Sequence, residues 1–258
     1  MATILEDSGF NIDQELKIVG TNPVKHDGPD KVTGKAKFGA DLFLPGMLMG
    51  KILRSPHPHA NIKSIDTSKA EMLPGVKSIV TGADFPDQPL GSPNGDMTRN
   101  VMAREKVFYD GHPVAAVAAT TEPIAKRALK LIEVEYEVLP HVIDPVDAMK
   151  PDAPILHDHL RTKGVEGAEN TPTNVVEQLD LAIGDVDAGF AAADIVIERE
   201  YDSKPMHQGY IEPQGCVASY TDDGQIELWC CTQGTHVFRD QMAAILKMDS
   251  SKIRVSQS

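Results

Sequence analysis

A short polar segment, Thr232-Gln233-Gly234-Thr235-His236, joins a predicted strand to the predicted start of a helix. The first turn of a helix carries backbone N–H groups that have no partner inside the helix, and these groups can bind an anion. The Gln233 amide could donate or accept a hydrogen bond at a site built there. The segment is therefore a candidate binding site, and a simple helix cap at Thr235 is the alternative.

A second candidate site lies at residues 206–214, a polar and aromatic segment between two predicted strands. It contains His207 and Glu212, whose side chains are suited to proton transfer. Sequence periodicity does not distinguish this role from a capped turn, so both interpretations stay open.

Two histidine pairs have a spacing that could suit a metal ion. His57 and His59 alternate with prolines, and His157 and His159 stand in a region rich in Pro, Gly, Asn and Thr. Neither pair has a third ligand nearby in the sequence, so an extended segment and a solvated loop are favoured. A metal hydrolase built on these histidines is a remote alternative.

Several motifs for other chemistries are missing from the sequence. There is no cysteine run for an iron–sulfur cluster, no Gly-x-Gly-x-x-Gly after a strand and no Gly-x-Ser-x-Gly. Cys230 and Cys231 end an apolar strand and are predicted to be core residues rather than nucleophiles.

The elements that must position these residues are mixed helices and strands. Residues 84–100 are predicted to be a loop. A right-handed crossover is predicted for the strand at 113–120, the helix at 121–132 and the strand at 133–138. A strand at 253–255 is expected to lack a partner, leaving it and the neighbouring helix face exposed. Helices are predicted at 121–132 and 235–246, and strands at 32–41, 47–53, 76–81, 107–109, 113–120, 133–138, 194–201, 215–220, 225–231 and 253–255.

Composition and charge exclude several classes of function. The 258 residues carry a formal charge of −13, which disfavours binding to nucleic acid or to an anionic membrane. The longest apolar run has six residues, whereas a membrane span needs roughly 20. The N-terminus lacks a basic leader, and the three cysteines do not make a disulfide framework, so a cytoplasmic location is expected.

Taken together, segments along residues 22–255 resemble the large, molybdenum-cofactor-binding subunit of the xanthine dehydrogenase and aldehyde oxidase family. The order of the segments makes the resemblance specific. They are Lys31–Phe38, Leu53–Ala60, Ala70–Gly82, Tyr109–Ala118, Glu133–Pro140, Gly184–Phe190, Ile211–Pro213 and Thr232–Gly234.

The resemblance implies an α/β (α+β) chain with four parts. These are a lead-in (1–23), an α/β hammerhead domain (24–148), a connection (149–178) and an incomplete start of the molybdopterin-binding domain (179–258). It also implies that Gln233, followed by Gly234, lies beside the molybdenum and hydrogen-bonds its oxo group. The implied activity is oxidative hydroxylation of an aldehyde, N-heterocycle or related carbon centre with oxygen from water, assisted by a general-base glutamate. The implied cofactor is molybdenum–molybdopterin, with iron–sulfur and FAD groups on partner subunits.

The sequence departs from the family pattern after Ile253-Arg254-Val255. The family continues there with a glycine-rich loop that holds the cofactor, and its catalytic glutamate follows much later. Neither is present, so we expect a fragment, a truncated product or one piece of a split subunit. Such a chain would hold the cofactor only with the missing half, supplied by a second molybdopterin-domain chain, and would be inactive alone. A non-enzymatic assembly module is the main alternative.

Overall fold

Two three-stranded antiparallel sheets are formed by residues 49–138 of the computed structural model, which describes residues 17–257. In the first sheet the strand order is β1 (Met49–Arg54), β5 (Pro113–Ala119) and β3 (Val76–Thr81). In the second sheet the order is β4 (Lys106–Val107), β2 (Ala60–Asp66) and β6 (Glu133–Val138).

The core of this region is built largely from alanine. Helix α4 (Glu122–Leu129) places Ala125 and Ala128 against the first sheet, and both side chains are completely buried. Strand β5 supplies Ala115, Val117 and Ala119 to the same cluster. Because these side chains are small, the helix backbone can approach the sheet closely, and volume changes at these positions will be poorly tolerated.

A third sheet carries the polar segment around Gln233. Strands β7 (Cys216–Tyr220) and β8 (Ile226–Cys230) form an antiparallel hairpin, and β9 (Ile253–Gln257) pairs with β8 in parallel. Helix α7 (Thr235–Leu246) connects β8 to β9 and packs on the sheet. The buried cluster that holds this unit together contains Leu228, Ala243 and Ile253.

The remaining helices are short. They are α1 (Gly28–Val32), α2 (Ser68–Glu71), α3 (Pro93–Val101), α5 (Pro145–Ala148) and α6 (Val186–Ala192), with 3-10 turns at Gly39–Asp41, Gly82–Asp84, Ala168–Asn170 and Ser250–Lys252. None of the helices within residues 17–257 combines the length and apolar character needed to cross a bilayer.

A buried glutamine joins the first part of the chain to α7. Gln88 is 5% exposed, and its Nε2 atom donates to the Ala244 carbonyl at 3.1 Å and to the Ile245 carbonyl at 3.4 Å. The same Nε2 atom lies 3.1 Å from the Thr98 hydroxyl, on α3. The last carbonyls of a helix have no partner within the helix, so Gln88 caps the C-terminal end of α7 from a distant part of the chain.

Most predicted strands and the helix at 235–246 are confirmed, but three segments were assigned wrongly. The strand predicted at 32–41 is replaced by the end of α1 and a 3-10 turn, and Val32 is 86% exposed, so no sheet covers it. The loop predicted at 84–100 contains α3. Ser92 accepts a hydrogen bond from the Gly95 N–H and Pro93 opens the helix, so these turn-forming residues mark a helix start.

The strand predicted at 194–201 does not form either. Its apolar alternation is real, but no described strand pairs with it, and Ile195 and Ile197 are 79% and 73% exposed. The predicted crossover is also wrong, because β5 and β6 belong to different sheets and α4 connects the two sheets. A short strand at 60–66 was not predicted.

The strand at 253–255 was predicted to lack a partner, and this prediction is wrong. β9 pairs with β8 along its length, and Ile253 is 4% exposed. On α7, Val237 is 62% exposed, and exposed apolar side chains are frequent in residues 179–211, where Leu179, Ile183 and Ile211 are 83%, 89% and 98% exposed. Residues 1–16 of the predicted lead-in lie outside the described residues.

Candidate cofactor-binding site

The third sheet and α7 fix the position of Gln233. Strand β8 ends at Cys230 and α7 begins at Thr235, so Gln233 lies in a four-residue connection. The Thr232 hydroxyl accepts a hydrogen bond from the Gly234 N–H at 3.2 Å, and the Gly234 carbonyl accepts one from the Phe238 N–H at 2.9 Å. These bonds set the turn so that Gln233 points away from the core and is exposed.

Gln233 borders a cavity of about 340 Å³ at the end of the sheet. The cavity is formed by three stretches of chain that are distant in sequence: the segment before β7, the β8–α7 connection and the end of β9. Its lining residues are Tyr210, Glu212, Gln214, Cys231, Thr232, Gln233 and Gln257.

The cavity is lined mainly by neutral polar groups. Gln214, Gln233 and Gln257 each present an amide, which can both donate and accept hydrogen bonds. Within the described part of the chain, the Gln233 side chain makes no hydrogen bond, so its amide is available to a ligand. Glu212 is the one carboxylate in the lining, and no lysine or arginine lines the cavity. A ligand group that accepts directed hydrogen bonds therefore fits better than a strongly anionic one.

The structure brings Glu212 to Gln233 but leaves His207 outside the cavity lining. The His207 ring lies 4.8 Å from the Tyr210 ring, and its Nδ1 atom accepts a hydrogen bond from the Gly209 N–H at 3.0 Å. Its contact with the site is thus indirect, through Tyr210. Gly234 is not a lining residue, and it serves as the N-cap position of α7.

Cys230 and Cys231 have different environments. Cys230 is buried, as predicted, at 4% exposure. Cys231 is half-buried and lines the cavity, so its assignment to the core was wrong. Alternation along a strand sends neighbouring side chains to opposite faces, and this signal was available from the sequence. Gln257 was missed because the pairing of β9 with β8 is not local.

The histidine pairs have structural roles. The Nδ1 atom of the buried His59 lies 2.6 Å from the Pro140 carbonyl, and the His57 ring packs edge-on against Tyr136. His159 lies 3.2 Å from Asp96. Nowhere in residues 17–257 do three or more His, Cys, Asp or Glu side chains cluster in a way that could hold a metal ion.

His157 stacks on the Phe108 ring with 4.5 Å between centroids. Burial lowers the pKa of His157 below its usual value, and the neighbouring His159 lowers that pKa further. The fully buried His112 accepts a hydrogen bond from the Phe108 N–H, and its other ring nitrogen lies 2.8 Å from the Arg99 carbonyl. Burial also lowers the pKa of His112. Because its Nδ1 atom accepts a hydrogen bond, the His112 ring is neutral, and burial favours the neutral form of His157 as well.

Comparison with known proteins gives two family matches that together cover most of the chain. Residues 33–140 match the family described as aldehyde oxidase and xanthine dehydrogenase, a/b hammerhead domain. Residues 168–258 match the molybdopterin cofactor-binding domain. Gln233 and the whole cavity lining lie in the second match.

Individual relatives agree with these matches. The chain is 38% identical over 245 residues to a probable xanthine dehydrogenase subunit of Bacillus subtilis, covering 91% of this chain and 30% of that protein. It is 39% identical over 264 positions to the carbon monoxide dehydrogenase large chain of Afipia carboxidovorans, covering 98% and 32%.

A solved structure of reconstituted carbon monoxide dehydrogenase from Oligotropha carboxidovorans superposes with a TM-score of 0.75 at 35% identity. The match covers 92% of this chain and 30% of that one. The chain thus spans about 30% of the length of these three relatives. The predicted fold class, a hammerhead domain followed by part of a molybdopterin-binding domain, is confirmed. The chain belongs to the aldehyde oxidase and xanthine dehydrogenase family and carries the hammerhead and molybdopterin-binding sequences of its large subunits.

Proposed function

We propose that this chain supplies one wall of the molybdopterin site in a molybdenum-dependent oxidoreductase. The observation that carries the proposal is the free Gln233 amide in a polar cavity within the segment that matches the cofactor-binding domain. Gln233 is the residue that we expect to touch the cofactor, and Gly234 follows it as the N-cap position of α7.

The lining residues fit the metal end of the cofactor better than its phosphate end. Amides can donate to the acceptor groups around a metal, whereas a phosphate requires cationic groups or several free N–H groups. The lining offers three amides, the hydroxyls of Tyr210 and Thr232, one thiol and one carboxylate, and no lysine or arginine. We therefore assign the phosphate end to polypeptide outside these 258 residues.

When bound, the molybdenum cofactor would supply the two-electron oxidation of a substrate carbon with oxygen from water. The role of this chain is to bind and orient. The Thr232 hydroxyl holds the turn through the Gly234 N–H, which fixes the direction of the Gln233 amide. Gln214 and Gln257 complete the polar wall, and Glu212 offers a proton acceptor at its rim.

The activity of the whole enzyme depends on further polypeptide. Because the chain spans about 30% of its relatives, we place the glycine-rich loop and the general-base glutamate outside it. The same argument leads us to propose an iron–sulfur subunit, an FAD subunit or a second molybdopterin-domain chain as partners. The substrate would be a small aldehyde, N-heterocycle or related molecule, and we expect the 258-residue chain alone to oxidise none of them.

The test is metal analysis combined with kinetics. The chain alone should contain no stoichiometric molybdenum, and co-production with the remaining polypeptide of a family large subunit should restore it. In that complex Gln233→Ala should lower turnover per bound molybdenum by about 10²–10³-fold. A loss of this size is typical when a hydrogen-bond donor to a group whose charge changes during the reaction is removed. Gln225→Ala, an amide in the hairpin turn, is the control. Full turnover per bound molybdenum in Gln233→Ala would refute the assigned role.

The alternative, a non-enzymatic assembly module, is favoured by the exposed apolar side chains of residues 179–211. A patch of this kind marks an interaction surface. If the chain forms a stable complex that never contains molybdenum, this second function is the correct one.

A further inference from the structure

The β7–β8 hairpin places two of the three cysteines directly opposite each other. Cys216, the first residue of β7, is the register partner of Cys230, the last residue of β8. Side chains of opposite residues in an antiparallel pair lie on the same face of the sheet. Cys231 follows immediately and faces the cavity on the other side.

The hydrogen-bond pattern gives the spacing of this pair. At the turn, the Thr221 N–H donates to the Gln225 carbonyl at 3.0 Å and the Thr221 carbonyl accepts from the Gly224 N–H at 2.9 Å, so both backbone groups of Thr221 bond to the facing arm of the hairpin and Thr221 occupies a hydrogen-bonded position. Hydrogen-bonded and non-hydrogen-bonded pairs alternate along an antiparallel ladder, so Cys216 and Cys230 form a non-hydrogen-bonded pair. The Cα atoms of such a pair are about 4.5 Å apart, inside the range of about 4.4–6.8 Å that a disulfide spans.

The two thiols differ in exposure. Cys216 is exposed, whereas Cys230 is 4% exposed. Burial raises the pKa of the Cys230 thiol, and the neighbouring Cys216 and Cys231 raise that pKa further. The exposed thiol is therefore the one that an oxidant meets first, and the buried thiol stands beside it as the resolving group.

We propose that Cys216 and Cys230 form a cross-strand disulfide when the protein reacts with a hydroperoxide. The Cys216 sulfur attacks the terminal oxygen, the O–O bond breaks and an alcohol or water leaves, giving a sulfenic acid. The Cys230 sulfur then attacks the Cys216 sulfur, the S–O bond breaks and water leaves. Two thiols are oxidised by two electrons in total, and the hydroperoxide is reduced by the same two electrons.

The bond would form next to the candidate site without using its groups. Cys230 is the last residue of β8, and the turn that carries Gln233 begins at the following residue. A disulfide would tie β7 to β8 at the point where the chain enters this turn. The inference concerns the thiols alone and does not depend on the proposed function.

The test treats the 258-residue chain with hydrogen peroxide and counts free thiols. Wild type should lose two of its three thiols while remaining monomeric on a non-reducing gel. Cys231→Ser is the matched control and should also lose two. Cys216→Ser and Cys230→Ser should not form the intramolecular bond, and circular dichroism checks that each variant is folded.

Peptide mapping of oxidised wild type decides the connectivity independently of any variant. All three cysteines lie in one tryptic peptide that ends at Arg239, because no lysine or arginine stands between Lys204 and Arg239, and cleavage before Asp222 is needed to separate Cys216 from the other two. A non-reduced digest should contain the two halves joined, with fragmentation assigning the link to Cys230. A link to Cys231, a link between chains, or sulfinic acid at Cys216 without any link would overturn the proposal.

Discussion

Replacing Gln88 should destabilise the protein far more than replacing an exposed glutamine. Gln88→Ala removes two hydrogen bonds to the last carbonyls of α7, those of Ala244 and Ile245. A protein hydrogen bond contributes about 1 kcal/mol net, and a buried carbonyl that loses its donor costs about 1–3 kcal/mol. The Ala244 carbonyl keeps a hydrogen bond from the Lys247 N–H at 3.4 Å, but the Ile245 carbonyl and the Thr98 hydroxyl lose the Gln88 donor. We therefore expect the free energy of unfolding to fall by about 2–4 kcal/mol.

The assay is equilibrium unfolding in urea. With a slope of about 2 kcal/mol per molar urea, this loss moves the midpoint down by about 1–2 M. Gln225→Ala removes an exposed amide that contacts Asp223. Its midpoint should stay within about 0.25 M of the wild-type midpoint, because surface substitutions usually change the free energy of unfolding by no more than about 0.5 kcal/mol. A Gln88→Ala midpoint equal to that of Gln225→Ala would refute the capping role.

A charged replacement tests the same contact through pH. Gln88→Glu puts a carboxyl against the negative end of the α7 dipole, where only its protonated form can donate a hydrogen bond. Its pKa in the folded protein should therefore exceed the unfolded value of about 4.3. The stability deficit of this variant relative to wild type should grow as pH rises above about 4.3, until the folded pKa is passed. A deficit that is the same at pH 5 and pH 8 would contradict this reasoning.

Two further predictions concern packing at Gly82 and protonation at His157. Gly82→Ala should destabilise the protein by about 1–3 kcal/mol in thermal unfolding, because an added Cβ would lie 2.3 Å from the Ala103 carbonyl oxygen. Gly50→Ala, where the Cβ meets no atom within 4 Å, is the control, and equal melting temperatures would count against the clash. Burial against Phe108 lowers the pKa of His157 in the folded protein. As pH drops through the histidine pKa of the unfolded chain, about 6.5, the unfolded chain takes up more protons than the folded protein, so the free energy of unfolding should fall. His157→Asn should flatten this pH dependence in urea titrations at pH 5 and pH 7.5, and an unchanged slope would show that other groups cause it.

The sequence predicted elements well where local signals and pairing agree. The alternation at 133–138 and the strand at 76–81 correspond to β6 and β3, and helix 235–246 has the predicted limits. Residues 194–201 show the same alternation as β6 but form no strand, because a strand also requires a partner strand to pair with. Pairing is a property of the whole fold, which a single segment does not contain.

Only the part of the candidate site that local sequence signals mark was predictable. Gln233 and Glu212 stand in polar segments beside predicted strands, so the sequence drew attention to both. Gln257 could not be found, because it reaches the cavity through the parallel pairing of β9 with β8 around α7. The domain limits and the role of Gln233 remain predictions.

The contact between Gln88 and Ala244 also constrains the order of folding. It closes a loop of 156 residues, which costs about 4–5 kcal/mol of chain entropy if the loop closes before anything else has formed. The two hydrogen bonds from Gln88 to α7, at about 1 kcal/mol each, do not offset that cost, so we expect the cap to form after residues 49–138 and the β7–β8–α7 unit have each acquired structure. During synthesis on the ribosome, α7 would therefore dock onto a hammerhead region that has already folded.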